Sequence, residues 1–382
     1  MRTRTALLAL LFLTAHAVAD GPSAPGTPDP GGARQPLLST PERWETVGGT
    51  ATSFLVEEDT LHLQQGQGEP SAILTRQDYE NFNLSFEFRC HEWEESGLLL
   101  HAPWNGAWRA GLIIALGDHA GDAPDVFRSG AIFRHVAPTV MAVKEHGEWN
   151  TCSLHMDWPY LTVVLNGQVV QDLDLSSDSR LSQTLRRGRI GFLNSYGWGL
   201  EVRNMSLTPL PDSAGAVKMF NGTNLEGWHP VRNKRAWWTA ADGVLRGEGG
   251  NGYLQYDSPC QDFALDLYYR ASSAANGGVF FGWKKDDSDR GHEIQILDLP
   301  DVGMVSGSIY GLVRGRDDIF NPGAWNLMQI FVKGKHVTTY INGHESAETE
   351  LPEPVEPGHI TLQMHRDGAV IEWRDLTLTT GG

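Results

Sequence analysis

The chain contains one series of short segments twice, in the same order, and this repetition constrains the fold more than any other feature. The segment ENFNLSFEFR at 80–89 aligns with QDFALDLYYR at 261–270, and both alternate apolar and polar residues. Further pairs follow in order, such as GEWN at 147–150 with GAWN at 323–326. The chain is therefore expected to fold as two copies of one unit, which meet near residues 209–216.

Each copy is built from short alternating runs that are separated by turn residues, which is typical of β-sheet proteins. The pairs Asn166-Gly167 and Asn342-Gly343 favour tight hairpins. A length of 382 residues has room for two ordinary domains. Two antiparallel sheets packed face to face bury such strands well. We therefore predict an all-β chain of two tandem jelly-roll β-sandwiches, at residues 38–210 and 216–382.

The amino terminus has the features of a secretory signal peptide over residues 1–19. Two early arginines precede an apolar run from Ala6 to Leu13, and Ala-Val-Ala follows at 17–19. The apolar run is shorter than the roughly 20 residues that span a bilayer. A Pro- and Gly-rich linker follows at 20–37. We expect a bacterial protein exported to the periplasm, cell surface or medium, without an integral membrane segment after signal removal.

The formal net charge of -17 argues against nucleic acid as a partner, because phosphate binding requires clustered Lys and Arg. A neutral carbohydrate is compatible with this charge. The 13 tryptophans also suit stacking against sugars, although most tryptophans of a sandwich lie in its core. Cys90, Cys152 and Cys260 show no metal-site spacing. A disulfide between Cys90 and Cys152 would be compatible with export.

The stretch GHEIQILDLP at 291–300 places polar side chains on a strongly strand-forming segment. Glu293 and Gln295 are two residues apart, so an extended strand directs both to one face. Asp298 has the opposite parity, but a bulge at 296–297 would turn it towards the other two. The alternative is the ordinary polar face of a half-buried strand.

The second half resembles a known bacterial family through a series of motifs in order. These motifs are MFNGTNLEGWHP, NGGVFF, HEIQILD, GSIYG, PGAWN, YING and ITLQMHRDGAVIEWRDL. The family is that of the 3-keto-disaccharide hydrolases, also described as 3-keto-glucoside lyases and hydratases. This resemblance implies a concanavalin A-like jelly roll and activity on 3-keto-glycosides. The first half resembles the family in its framework only.

The resemblance also implies a set of site residues in the second half. The family pattern differs at two positions, because His292 replaces a tyrosine and Gly282 replaces an arginine for which Lys284 could substitute. The implied catalytic residues are Glu293, Asp298 and His365, and the implied substrate-binding residues are Gln295, Gln363, Lys284, Asn276, Tyr310 and Arg374.

In the first half, the aligned residues do not provide such a site. Leu112, Ile114 and Gly117 align with Glu293, Gln295 and Asp298, and Ser195 aligns with His365. The first unit is therefore interpreted as a degenerate copy that serves stability, orientation or ligand binding.

A 3-keto sugar has an acidified hydrogen at C2. A lyase therefore needs a base for that hydrogen, a donor for the developing enolate and an acid for the departing glycosidic oxygen. One carboxylate or His365 would be the base, and Gln295, Gln363 and Lys284 would hold sugar oxygens. No cofactor is required, although a divalent metal ion on Glu293, Asp298 and His365 is a variant.

Other interpretations remain open from the residues alone. The strand EIQILD is similar to the catalytic strand of laminarinase-type glucanases, although Gln295 and Asp298 replace two of the three acids. A non-catalytic carbohydrate-binding module could present Trp283 or Trp198. The acidic cluster Asp286, Asp287 and Asp289 could suggest calcium, but a solvated turn fits its spacing better.

Overall fold

The structure is a computed structural model that describes most of both halves of the chain. The described residues are 35–48, 53–64, 70–196, 199–232, 235–273, 275–284 and 291–380. They divide into two compact units, the first ending at Ser213 and the second beginning at Ala214. The predicted signal peptide, residues 20–34 of the predicted linker, Trp198 and the cluster at 286–289 lie outside the described residues.

The described part of the first unit consists of β-strands and short 3-10 helices. The strands are β1 (Gln35–Pro36), β2 (Trp44–Val47), β3 (Phe54–Glu57), β4 (Thr60–Leu63), β5 (Ser71–Thr75), β6 (Phe82–Cys90), β7 (Glu95–Ala102), β8 (Leu112–Gly117), β9 (Asn150–Asp157), β10 (Tyr160–Leu165), β11 (Gln168–Asp174), β12 (Arg189–Tyr196) and β13 (Leu200–Pro209). The 3-10 helices are Pro41–Arg43, Trp108–Ala110, Leu175–Ser177 and Leu181–Gln183.

The described part of the second unit consists of strands joined by turns and loops. They are β14 (Ala216–Lys218), β15 (Trp228–Val231), β16 (Trp237–Ala241), β17 (Val244–Glu248), β18 (Gly252–Cys260), β19 (Phe263–Ala271), β20 (Gly277–Trp283), β21 (His292–Ile296), β22 (Asn326–Lys333), β23 (His336–Ile341), β24 (His344–Glu350), β25 (Gly358–Met364) and β26 (Val370–Thr380). Across the described ranges of both units, no helix is long and apolar enough to cross a membrane.

The two units have the same sheet topology. In the first unit, the larger sheet has the order β11-β10-β9-β6-β13-β4-β3, with β1 beside β13, and the smaller sheet has the order β2-β5-β12-β7-β8. The second unit repeats this with β24-β23-β22-β19-β26-β17-β16, β14 beside β26, and β15-β18-β25-β20-β21. The predicted pair of all-β jelly-roll sandwiches is therefore confirmed.

The long central strands supply the core of each unit, because their apolar residues alternate with polar ones. Phe82, Leu84, Phe86 and Phe88 of β6 are all buried between the sheets. The equivalent residues of β19 are buried in the core of the second unit. The first sandwich also begins slightly before the predicted boundary, because β1 pairs with β13 and Leu37 is fully buried.

A disulfide between Cys90 and Cys152, which the sequence left open, does not form, because the three cysteines are free and buried. Cys152 on β9 pairs with Phe86 on β6, whereas Cys90 lies four residues farther along β6. Four residues of a strand correspond to roughly 13 Å. A disulfide requires a separation between Cα atoms of about 4.4–6.8 Å. Cys90 and Cys152 therefore contribute to the core by packing and not through a covalent bond.

Both units keep a pair of asparagines that ties a hairpin to the neighbouring strand. Asn342 Nδ2 donates to Asn326 Oδ1 at 2.8 Å, and Asn166 Nδ2 donates to Asn150 Oδ1 at 2.7 Å. The Oδ1 atom of Asn342 also accepts from the backbone N–H of Leu327 at 3.0 Å. These bonds explain why both copies contain the sequences Trp-Asn and Asn-Gly.

Replacement of Asn326 by alanine should lower the free energy of unfolding by about 1–3 kcal/mol, because it leaves buried partners unsatisfied. Asn326 is fully buried, whereas Lys333 on the same strand is exposed. Urea denaturation of Asn326→Ala, with Lys333→Ala as the control, measures the difference. Equal midpoints for the two variants would show that the asparagine pair does not stabilise the unit.

Candidate functional site

Strand β21 presents Glu293 and Gln295 on the outer face of the smaller sheet of the second unit. It pairs with β20 without a register shift, from Gly277 opposite Ile296 to Phe281 opposite His292. Ile294 and Ile296 are fully buried in the core between the sheets. The residues between them in the alternation therefore point away from the core.

Neighbouring strands add further side chains to this outer face in two rows. One row runs from Tyr253 through Gln363 and Gly278 to Gln295, and the other contains Gln255, Thr361, Phe280 and Glu293. The two rows together are the polar face of the second unit. An aromatic group adjoins it, since the rings of Tyr253, Phe280 and Trp283 pack with centroids 4.9–5.7 Å apart.

Gly278 gives the carboxylate of Glu293 its position on the polar face. A Cβ atom on Gly278 would lie only 2.7 Å from Glu293 Oε1, so the carboxylate folds over this glycine. Gly278 lies between Gln363 on β25 and Gln295 on β21. The carboxylate of Glu293 is therefore placed over the strand that separates two glutamine side chains.

Hydrogen bonds hold the two glutamines in place. Gln295 Nε2 donates to Asn276 Oδ1 at 3.2 Å, and Gln363 Nε2 donates to Tyr253 Oη at 3.2 Å. Both glutamines are buried. Their orientation is thus fixed by the protein.

Several polar atoms at this face have no hydrogen-bond partner within the described chain. They are the amide oxygens of Gln255 and Gln363, the hydroxyl of Thr361 and the indole nitrogen of Trp283. A buried polar group without a partner costs about 1–3 kcal/mol. All four atoms are uncharged donors or acceptors, and all four are buried.

The equivalent face of the first unit is apolar. The two faces can be aligned through an isolated bridge that occurs in both units: Ile114 pairs with Ile132 in the first unit, and Ile294 pairs with Ile309 in the second. Ile114 is therefore equivalent to Ile294. The residues that replace Tyr253, Gln255, Phe280, Glu293, Gln295 and Gln363 are Ala72, Leu74, Leu99, Ile113, Ala115 and Leu193. Of these, Ala72, Leu74, Leu99 and Leu193 belong to one buried apolar cluster, against which Ile113 packs.

This equivalence corrects the alignment of the two halves by one residue. Glu293 corresponds to Ile113 and not to Leu112, and Gln295 corresponds to Ala115 and not to Ile114. Asp298 consequently corresponds to Asp118 instead of Gly117. The sequence of β8 is apolar throughout and offers no polar residue by which to align it.

Asp298 does not join Glu293 and Gln295, so the predicted bulge is wrong. The strand ends at Ile296, and the side chain of Asp298 points to the interior. Its Oδ1 atom accepts hydrogen bonds from Tyr269 Oη at 2.9 Å and Ser306 Oγ at 2.5 Å. Burial raises the pKa of Asp298 to about 6, although these two hydroxyls act in the opposite direction. Asp298 anchors the loop after β21.

His365 and Tyr310 lie beside the polar face. The backbone N–H of His365, the first residue after β25, donates to the carbonyl of Asn276 at 3.0 Å, and its side chain is exposed. The backbone N–H of Tyr310 donates to the carbonyl of Glu293 at 2.9 Å, and Tyr310 is 57% exposed. The structure thus brings six predicted residues together: Asn276, Glu293, Gln295, Tyr310, Gln363 and His365.

Two predicted binding residues lie elsewhere. Lys284 follows the end of β20 at Trp283, six residues beyond Gly278. Arg374 pairs with Tyr268 on the other sheet and donates from Nε to Asp375 at 3.0 Å. Trp283, which the alternative of a carbohydrate-binding module would present for stacking, is fully buried. The assignment of Arg374 is wrong because the strand pattern does not give which sheet β26 joins, and the role of Lys284 stays a prediction.

The described residues contain no group of three or more His, Cys, Asp or Glu side chains that could hold a metal ion. The proposed ligand set of Glu293, Asp298 and His365 is not brought together, because Asp298 points to the interior. The residues present therefore do not fit the predicted variant with a divalent ion.

Sequence reasoning missed Tyr253, Gln255 and Thr361. Their signal was present in the alternation, since Tyr253 and Gln255 are two residues apart in GYLQY and Thr361 and Gln363 are two apart in ITLQM. The missing information was which face of each strand is directed outwards.

The raised pKa of Asp298 makes a prediction about stability and pH. The ordinary pKa of an aspartate carboxyl is about 3.9. A carboxyl whose pKa is higher in the folded state stabilises the fold, and this contribution is complete at pH values below the ordinary pKa. This contribution should disappear as the pH rises through about 6. Relative to Asp298→Asn, the wild type should gain up to about 1.4 kcal/mol per pH unit as the pH falls from 6 to 4. Urea denaturation over this range measures it, and parallel pH profiles would contradict it.

A sequence profile of one protein family matches both halves of the chain. The family is described as a 3-keto-alpha-glucoside-1,2-lyase-like domain, and the matches cover residues 38–208 and 215–379. A curated 3-keto-disaccharide hydrolase from Bacteroides thetaiotaomicron is 27% identical over 173 residues. That match covers 36% of this chain and 60% of the relative.

Solved structures with a similar fold match about half of the chain. A Parabacteroides distasonis protein with a provisional glycosyl hydrolase name is 21% identical, with a TM-score of 0.41, over 47% of this chain and 100% of its own. The Bacillus licheniformis β-glucanase is 12% identical, with a TM-score of 0.32, over 45% of this chain and 100% of its own.

Proposed function

Because the chain belongs to the 3-keto-alpha-glucoside-1,2-lyase-like family in both of its halves, we propose that its second unit cleaves 3-keto-glycosides. Family membership supports a carbohydrate-active role. The observation that carries the proposal is the position of the Glu293 carboxylate over Gly278, beside positioned glutamines and unpartnered polar atoms. The proposal includes export of the protein, in keeping with the predicted signal peptide.

Glu293 is proposed as the base that removes the hydrogen from C2 of the 3-keto sugar. The C–H electron pair moves into the bond between C2 and C3, which gives an enolate with its charge on the C3 oxygen. Neutral amide donors near that oxygen would stabilise the charge. The amides of Gln295 and Gln363 flank the strand under Glu293 and are suited to this task.

His365 is proposed as the acid for the departing oxygen. The enolate re-forms the C3 ketone, a double bond forms between C1 and C2, and the bond from C1 to the glycosidic oxygen breaks. The oxygen takes a proton, which an imidazolium can supply. His365 is exposed and lies beside Asn276, at the edge where a leaving group could depart.

Hydration would complete the reaction at the same site. Water adds its oxygen to C1 and a proton returns to C2, so the net result is hydrolysis to a 3-keto sugar and the released alcohol. His365 as base and Glu293 as acid would then act in reverse. The first unit cannot perform these steps at its equivalent face, where Ile113 and Leu193 replace Glu293 and Gln363.

The polar face is less suited to the glucanase alternative. A retaining glycosidase uses two carboxyl groups about 5–5.5 Å apart. Of the three polar residues in the strand motif, Glu293 is the one that presents a carboxylate on the outer face, since Gln295 is an amide and Asp298 is buried. The buried indole of Trp283 likewise gives no platform for a lectin-like stacking site.

The direct test incubates the purified protein with 3-keto-trehalose in deuterated water, with unoxidised trehalose in parallel. We expect cleavage of the keto sugar alone, with deuterium gained at C2. Glu293→Gln should reduce both by about 10²–10⁴-fold, the usual effect of removing a general base. Glu350→Gln, at an exposed position on the other sheet, is the matched control. Cleavage without deuterium at C2, or cleavage of unoxidised trehalose, would contradict elimination.

Gly278→Ala tests the placement of the carboxylate without removing it. The new Cβ would lie 2.7 Å from Glu293 Oε1 and 2.8 Å from the carbonyl oxygen of Ile294, so Glu293 must move and kcat/KM should fall about a hundredfold, as for a misplaced catalytic group. Gly97 is the equivalent glycine of the first unit, and a Cβ there would meet Ile113 Cγ2 at 2.6 Å. Gly97→Ala therefore introduces a side-chain clash at the equivalent position, away from Glu293, and should leave kcat/KM unchanged. Equal losses in both variants would contradict the assignment.

A further inference from the structure

The outer face of the larger sheet in the first unit carries two adjoining hollows, which together form the outer groove. One, of about 270 Å³, is lined by residues of β6, β9, β10 and β13. The other, of about 400 Å³, is lined by β1, β13 and the turn after β3, and Ser206 lines both. Four adjacent strands span roughly 14 Å, so the groove is longer than one sugar ring.

The lining of the groove combines apolar side chains with uncharged groups that can donate and accept hydrogen bonds, and it includes one carboxylate, that of Asp59. His155 Nδ1 lies 2.7 Å from Asn83 Oδ1, and the hydroxyls of Ser85 and Ser206 are 2.9 Å apart. Charged residues also occur on this face: Asp172 accepts from Thr162 Oγ1 at 3.1 Å, and Arg203 donates to Glu87 at 2.7 Å. The groove therefore suits a neutral polyhydroxylated ligand better than an anionic one.

Small side chains create the groove, and the second unit shows how the same face looks when it is filled. Ser153 and Val164 pair across β9 and β10, and the equivalent pair in the second unit is Gln329 and Tyr340. The ring of Tyr340 packs edge-on against Phe331, with centroids 5.9 Å apart. The hollow is thus a property of the first unit and not a general consequence of the fold.

An exposed aromatic ring lies on the same face as the groove. Tyr160 begins β10, and strand alternation places it on the same face as Thr162 and Val164. It is 57% exposed. A tyrosine ring combines an apolar surface with a hydrogen-bonding end, which allows it to stack on the C–H side of a sugar.

We propose that the outer groove binds a neutral polysaccharide chain, with Tyr160 stacked on one sugar and the hydroxyl, amide and imidazole groups bonded to the others. This function is separate from the reaction proposed for the second unit. It would hold the protein on an insoluble or polymeric glycan while the polar face acts on a smaller glycoside.

The test is native electrophoresis of the full chain in gels that contain soluble mixed-linkage β-glucan, xyloglucan, galactomannan or starch. We expect at least one glycan to slow migration, and high salt to leave this effect unchanged because the ligand is neutral. Tyr160→Ala should weaken binding about tenfold, a loss of roughly 1.4 kcal/mol. Trp93→Ala, which removes another exposed aromatic of the first unit, should not.

A double variant separates the groove from every other surface. Ser153→Gln with Val164→Tyr introduces the residue pair of the second unit and should abolish retardation in all gels. Its circular dichroism and its turnover of 3-keto-trehalose, compared with those of the wild type, report whether both units remain folded. Migration unaffected by all four glycans, retardation that persists in a folded double variant, or binding that weakens with salt would each overturn the proposal.

Discussion

The close approach of Glu293 to Gly278 is the contact on which the proposed site depends. Antiparallel pairing places a glycine between two glutamine-bearing strands, and the missing side chain leaves room for the carboxylate. Any larger residue at this position of β20 would push Glu293 away from the sheet. The fully buried Ile294 and Ile296 fix the parity of β21, because a shift by one residue would bury a carboxylate in the core.

The two units show which parts of the fold are required for packing and which are free to vary. Strand order, the buried alternation of β6 and β19, and the hairpin asparagines occur in both. The outer faces differ. The outer face of the smaller sheet is polar in the second unit and apolar in the first. The outer face of the larger sheet carries the outer groove in the first unit, whereas larger side chains occupy the equivalent positions in the second. The duplication therefore keeps one core and presents different surfaces.

The sequence alone was sufficient for the fold and for part of the site. Alternation and repetition predict the two sandwiches, and the spacing of Glu293 and Gln295 predicts that they share a face. Asp298 could not be placed in this way, because it lies beyond the end of the strand, where alternation no longer applies. Arg374 could not be placed because the strand pattern does not tell which sheet a strand joins.

The most direct measurement of the central claim is a crystal structure of the Glu293→Gln variant with a bound 3-keto-glycoside. The account predicts that the sugar lies on the polar face, with C2 next to the substituted amide above Gly278 and sugar hydroxyls bonded to Gln255, Thr361 and Gln363. Electron density for the sugar on another surface, with the polar face unchanged, would contradict it.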